Sequence, residues 1–249
     1  MNYISFSVYG TELKYLNGAV INCRNILLNY PAWQPIFYCS AEANLAVGGV
    51  IDGLGGIVQT FENDWHKNGM FWRFFALNIN QAERVLFRDT DSRVDDREMN
   101  LVEDWVKSKK VLHIIRDHPN HKAEILGGLW GIRANSIDCK DILKNTYKYG
   151  DNYGDDQQFL LDEVYTKYKK HAYVNDDFYF INLKKKQTGA RKNGGYIGES
   201  FDENGNFDPV LREKITRLER YKFLKLLYST KYLLIQVFWL FKKRVKSSS

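Results

Sequence analysis

Apolar and polar residues alternate through residues 3–9, the two-residue period of a strand with one buried face. Through 13–29 the apolar positions recur at helical spacing instead. Residues 34–39, close to Pro31 and Pro35, return to a strand pattern. Glycines at 48, 49, 53, 55 and 56 predict a loop leading into a short strand, 56–61. An aromatic stretch at 70–78 reads as a helix, and 83–87 as a strand running into Arg88-Asp89-Thr90-Asp91. Beyond it the pattern predicts a helix over 98–107, a strand over 111–116, an amphipathic helix over 155–169, and short strands at 172–174 and 178–183.

This succession predicts an α/β fold: a single domain, 1–183, with a mostly parallel central sheet flanked by helices. Residues 184–207 turn to Lys, Gly, Asn and acidic side chains and are expected as a flexible loop or lid, with a short ordered piece at Tyr196-Ile197-Gly198. From 208 to about 245 the chain is again helical in character, so 208–249 is expected as a C-terminal helical extension. Ligands of open parallel sheets bind outside the carboxyl ends of the strands, and Asp89 and Asp91 fall at such an end.

Two carboxylates at i and i+2 just past a buried strand can face one cavity. A nucleoside diphosphate leaving group concentrates negative charge, and a hard divalent cation, Mn2+ or Mg2+, bridges such a group to protein oxygens. Arg88 and Arg93, which flank the pair, offer bidentate contacts to a diphosphate or hold the aspartates in place. An Asx-rich turn closing a strand is the other reading of these residues.

His118 and His121 lie in Arg116-Asp117-His118-Pro119-Asn120-His121. They can ligate a metal, polarise a phosphate or hydroxyl, or stand on a surface turn capped by Pro119. In Gly127-Gly128-Leu129-Trp130-Gly131, Gly127 and Gly128 permit close backbone approach, and Trp130 offers either a flat face to a sugar ring or a core side chain. Asp155 and Asp156 open the helix predicted over 155–169. One can cap its first N–H groups while the other takes the proton of an acceptor hydroxyl.

Charge narrows the partners. The net charge is +6, but much of the excess sits in Lys184-Lys185-Lys186, Arg191-Lys192 and 212–246. Residues 1–180 are closer to balanced, so no nucleic-acid partner is expected. The segment 221–241 mixes lysines with Leu, Phe, Tyr and Trp, and its longest uncharged stretch, 232–241, is too short to span a bilayer. Followed by Lys242, Lys243, Arg244 and Lys246, it reads as a helix lying on an anionic membrane surface, or packed on its own domain or a partner. Cys23, Cys39 and Cys139 are widely spaced and read as reduced thiols; with no secretory leader, the expected location is the cytoplasm, at the inner face of the cytoplasmic membrane.

Arg88-Asp89-Thr90-Asp91-Ser92-Arg93, residues 113–121, 127–133 and 153–160 occur in the order seen in a group of bacterial GT-A glycosyltransferases, which the chain resembles over most of 3–183. The resemblance implies a nucleotide-sugar donor and a divalent metal held by Asp89 and Asp91. It implies a sugar-lining strand at Gly127, Gly128 and Trp130, a base drawn from Asp155 or Asp156, and, by position alone, a nucleotide contact from Arg73. Members of that group commonly build surface polysaccharide or lipopolysaccharide on lipid-linked saccharide acceptors, a setting that suits the basic, aromatic tail. The sequence departs from the pattern in lacking a downstream His or Asp motif to complete a metal site; His171 and 194–199 stand as candidates for a lid. Nucleotidyl or phosphoryl transfer through the same carboxylates remains open, although no P-loop is present. So does a non-catalytic, membrane-associated carbohydrate-binding role.

Overall fold

The computed structural model describes residues 1–61, 68–136, 139–150, 152, 154–178 and 186–220. Among the described residues, seven strands form one sheet: β1 (Asn2–Val8), β2 (Trp33–Cys39), β3 (Ile57–Thr60), β4 (Arg84–Arg88), β5 (Leu112–Arg116), β6 (Trp130–Ile132) and β7 (Ala172–Asp176). Their order is β3-β2-β1-β4-β6-β5-β7. Strands β2, β1 and β4 run parallel, as do β3 with β2 and β7 with β5; β6 runs antiparallel to both its neighbours. The expected α/β architecture with a mostly parallel sheet is what forms.

The chain runs outward from β1 through β2 to β3, then returns to place β4 on the other side of β1. The two connections therefore diverge between β1 and β4, and a crevice opens beyond the carboxyl ends of these strands. That topology fixes where a ligand can enter.

The pleat assigns the two faces. Ile4, Phe6 and Val8 of β1 join Leu86 of β4 under α1 (Leu13–Asn29), whose Leu16, Ala19, Cys23 and Ile26 recur at helical spacing. Tyr3, Val85 and Phe87 point to the opposite face, with Trp130 of β6 and the aromatic segment Gly69–Asn78. The remaining residues of that β1 face, Ser5 and Ser7, are buried but polar. Ser5 Oγ donates to Arg73 O at 2.7 Å, and Arg73 N donates to Ser7 Oγ at 2.8 Å.

That second bond bears on the kind of helix formed. The helix expected over 70–78 is present and is 3-10 helical, and the amide of Arg73 is given to a strand serine instead of to an i−4 carbonyl. A correction concerns the glycine-marked loop. It is mostly helical, forming α2 from the consecutive pieces Ala41–Ala43, a π-helical Asn44–Gly48, and Gly49–Leu54. Its end is set by Gly55, at φ 100°, a left-handed C-terminal conformation that glycine adopts without penalty.

After β4 come α3 (Asp96–Ser108), capped by Asp95, whose carboxylate accepts from Glu98 N at 2.8 Å, and α4 (Cys139–Leu143). The helix expected over 155–169 exists as α5, Asp155–Phe159 continued by a π-helical Leu160–Tyr165 and by Thr166–Tyr168. Helix α6 (Pro209–Arg220) packs Ile215 and Leu218 against Phe178 and Tyr196. Most of the strand predicted at 178–183, and the tail from 221 onward, lie outside the described residues. Among the described residues, no helix is long and apolar enough to cross a membrane.

The stretch expected as a flexible loop or lid is tied down where it is described. Asp117, fully buried, accepts from both terminal nitrogens of Arg97 (2.5 and 2.9 Å), from Thr188 Oγ1 (2.5 Å), from Ile197 N (2.7 Å) and from Arg191. Arg191 also donates to Asp177 at 2.7 Å. A carboxylate this far from water is sustained by the two guanidiniums and the extra donors around it.

Candidate functional site

Asp89 is the first residue beyond β4, and Tyr9 the first beyond β1, so both open onto the crevice. A cavity of about 710 Å³ lies there, within the range of small-molecule sites. It is lined by Ser7, Tyr9 and Gly10 after β1, Glu12 and Tyr15 near the start of α1, and Met70 and Arg73 of the 3-10 segment. Asp89, Thr90 and Asp91 follow β4; Gly127, Gly128, Asp156 and Gln157 line the cavity with them, as do His121 and Gly198.

The Asp89–Arg93 loop is held from several directions. Gly18 of α1 approaches so closely that a Cβ there would run into the Thr90 carbonyl. Asn22, one turn on, donates to Thr90 O (3.2 Å) and Ser92 O (2.8 Å) and accepts from Val94 N (3.2 Å). Ser92 Oγ donates to Asp89 O at 2.8 Å, and Phe201 N, from the segment before α6, to Asp91 O at 2.9 Å. The turn is thus over-determined, which holds its two acidic side chains in place.

Arg73 Nη1 is paired with Asp89, and its Nη2 donates to Asp156 Oδ2 at 3.1 Å. Burial works against the guanidinium's charge, but Asp89 and Asp156 outweigh it and raise its pKa above the ordinary value. The Asp89 side chain remains 51% exposed, whereas that of Asp156 is 5% exposed. Asp91, partly buried beside them, has its carboxyl pushed up to about 6, first by burial and then by the charge of Asp89, with Lys14 and Arg93 pulling the other way.

The glycines accommodate this cluster. A Cβ on Gly128 would strike the Asp89 carboxylate, and one on Gly127 would lie 2.5 Å from Arg73 Nη2 and 2.8 Å from Asp156 Oδ2. Gln157 clamps the same segment: its amide nitrogen donates to Ile125 O at 2.8 Å and its oxygen accepts from Gly127 N at 2.9 Å.

The other predicted residues stand elsewhere. Arg88, on the face of β4 opposite Phe87, is fully buried, pairs with Glu98 of α3 and donates to Trp130 O at 2.8 Å. It does not reach the cavity, because the strand pleat turns it into the α3 layer. Arg93 donates to Thr90 O (3.2 Å) and Ser92 O (2.8 Å) and lies over the Phe201 ring, so it braces the loop from behind. Trp130 is fully buried, stacked on Phe87 with centroids 4.1 Å apart; it is core and offers no face to a sugar.

His118 accepts from Asn120 N (2.9 Å) and reaches Leu211 O of α6 (3.1 Å), so both its nitrogens are taken by backbone groups. Asp155 accepts from Asn152 N at 3.0 Å in the turn before α5, outside the cavity lining. Arg73, Asp89, Asp91, Gly127, Gly128, His121 and Asp156 are brought together. Tyr9, Tyr15 and Gln157 were missed, although Tyr9 follows its strand as directly as Asp89 follows its own.

The donor set suits a hard cation. Asp89 and Asp91 provide oxygens only, and the raised pKa of Asp91, due first to burial and then to the charge of Asp89, is one that a bound divalent ion would oppose. Among the described residues no group of three or more His, Cys, Asp or Glu is placed to hold a metal. A cation held by two carboxylates would complete its shell from ligand oxygens and water, as Mg2+ commonly does.

No protein-family model and no curated protein matches the sequence. Among solved structures, S. aureus TarS residues 1–349 is 14% identical, over 71% of this chain and 58% of that one, with a TM-score of 0.48. A mannosyltransferase from Pyrobaculum calidifontis, solved with GDP-Man and Mn2+, is 14% identical over 71% of this chain and 54% of that one, TM-score 0.48. A 4-diphosphocytidyl-2C-methyl-D-erythritol synthase from Anaerococcus prevotii is 11% identical over 70% and 87%, TM-score 0.44. The chain thus spans little more than half of the first two, and likenesses this distant carry no argument about activity.

Proposed function

We propose that this chain is a metal-dependent glycosyltransferase that moves a sugar from a nucleoside diphosphate donor to a hydroxyl of a saccharide acceptor. The observation that carries the reading is the meeting of Asp89 and Asp91 with Arg73 and Asp156 in one cavity, at the point where the sheet's connections diverge. Asp89 and Asp91 would hold Mn2+ or Mg2+, which when bound stabilises charge on a departing diphosphate.

Arg73 is the cavity's guanidinium, already aimed between two carboxylates, and its role is to bind an anionic or hydroxyl oxygen of the donor. Asp156 faces the cavity and Asp155 does not, so the contact with a sugar hydroxyl, as acceptor of its proton, falls to Asp156. Gly127 and Gly128 leave the space for that approach. The rings of Tyr9 and Tyr15 offer apolar surface for a nucleobase.

Titration calorimetry with a panel of nucleotide sugars, with and without Mn2+, tests the reading. Metal-dependent binding that disappears in Asp91→Ala is the expected result; normal donor binding by that variant would sink it. Released nucleoside diphosphate identifies glycosyl transfer, whereas pyrophosphate would assign the same carboxylates to nucleotidyl transfer. Saccharide binding indifferent to metal and nucleotide would identify a non-catalytic binding module.

We further propose that the tail beyond Arg220, outside the described residues, holds the protein peripherally on an anionic membrane, where a lipid-linked glycan acceptor of surface polysaccharide or lipopolysaccharide synthesis would be met. Its aromatic and basic composition supports this. Co-sedimentation with anionic vesicles should fall when the chain is ended at Arg220, and equal sedimentation would discard the idea.

A further inference from the structure

We infer that His121 contacts the substrate as a neutral hydrogen-bond donor, presenting its imidazole Nε2–H to an oxygen of the bound nucleotide sugar, with Asp117 as the residue that sets its orientation. The inference rests on the glycosyl-transfer reading and adds a residue to it.

The backbone N–H of Asp117 donates to His121 Nδ1 at 3.1 Å. An N–H can only donate, so Nδ1 is the bare nitrogen and the neutral ring carries its proton on Nε2. Neighbouring His118 is fixed in the same tautomer, accepting from Asn120 N, but its Nε2 proton goes to Leu211 O. For His121, among the described residues, no protein acceptor takes the Nε2 proton, and the ring lines the cavity that holds Arg73, Asp89 and Asp156. A donor left without an acceptor favours an incoming oxygen.

Its surroundings keep the ring neutral. Burial first, then His118, Arg116 and Arg191, lower the His121 pKa to about 3. With its pKa lowered and Nδ1 engaged by the Asp117 amide, the ring acts as a fixed dipole with one N–H. Phosphate and hydroxyl oxygens both suit such a donor.

The orienting residue has a second task. The carboxylate of Asp117 takes Arg97, Thr188, Arg191 and the amide of Ile197, which together dock the 186–199 segment. The same residue thus anchors the 186–199 segment and orients His121.

Two variants separate this role from packing. His121→Asn keeps an acceptor near the Nδ1 position and loses the donor at Nε2; His121→Gln places an amide donor close to where Nε2 stands. Binding of UDP, GDP, UDP-glucose and GDP-mannose to the full chain with Mg2+ is measured by calorimetry. For any probe the wild type binds, His121→Asn is expected to bind about tenfold more weakly and His121→Gln to recover most of the loss. A loss seen with the bare diphosphate assigns the contact to a phosphate oxygen; a loss seen only with the sugar conjugate assigns it to a sugar hydroxyl. Imidazole 15N spectra should show the Nε2–H tautomer unchanged from pH 5 to 8. Wild-type binding left untouched in His121→Asn, or an Nδ1–H tautomer, overturns this inference alone. Failure of the wild type to bind any of the four overturns the glycosyl-transfer reading and this contact with it.

Discussion

Arg73 and Asp156 meet at 3.1 Å between a 3-10 segment and the first turn of α5, far apart in sequence and both nearly excluded from water. Removing one partner of a buried pair strands the other's charge, which costs about 3–5 kcal/mol. Arg73→Met should therefore lower the unfolding free energy by about 3 kcal/mol in urea denaturation. Asp89→Asn should cost far less, because that side chain is half exposed.

Asp91 should behave in the opposite way. Its carboxyl is raised to about 6, chiefly by burial and by Asp89, so its ionised form opposes folding near neutral pH. Asp91→Asn is expected to melt at the same temperature as the wild type or higher, while losing Mn2+-dependent donor binding. A clear drop in melting temperature would show that Asp91 is structural.

Gly128→Ala tests the cradle around Asp89. The added Cβ would meet the Asp89 carboxylate, so turnover should fall at least about tenfold through displacement of a ligand-holding group by a fraction of an ångström. Far-UV circular dichroism should be unchanged, and wild-type turnover would discard the close approach.

Trp130 provides the counter-test. Stacked on Phe87 and fully buried, it should cost about 3–5 kcal/mol on truncation to Ala. Trp130→Phe, if folded, should bind donor with wild-type affinity. A selective loss of sugar affinity in Trp130→Phe would restore it to the site.

Stability should also respond to His113. The ring is fully buried, donates its Nε2–H to Asn175 Oδ1 at 2.9 Å, and is held near pKa 3 by burial. Between pH 6.5 and 3 the unfolded chain binds a proton that the folded chain refuses, so stability falls with decreasing pH, by up to about 1.4 kcal/mol per pH unit for this group. His113→Gln should flatten that part of the stability–pH profile by one proton, and an unchanged slope would contradict the assignment.

Periodicity and punctuation were enough for much of the architecture. Alternation at 3–9, helical spacing at 13–29 and the run into Asp89 each report a local choice between two backbone periods, and burial of one face enforces that choice. From these followed the parallel sheet and the position of Asp89 and Asp91 at a strand's carboxyl end. Local sequence left the kind of helix open where a distant group claims the backbone: Ser7 takes the amide of Arg73 and the predicted helix is 3-10. It failed for side chains whose direction depends on what packs opposite. Arg88 and Arg73 are alike as residues, yet the pleat of β4 delivers Arg88 to Glu98, while the serines of β1 hold Arg73 over the cavity. Trp130 went to Phe87 and the core, and Asp117 became an ionic hub through partners up to 80 residues away. Residue types and their spacing determined which chemistry this chain can carry. Which of those residues share a cavity was decided by the tertiary structure, because strand order and pleat direction are set by packing between segments that no local pattern connects.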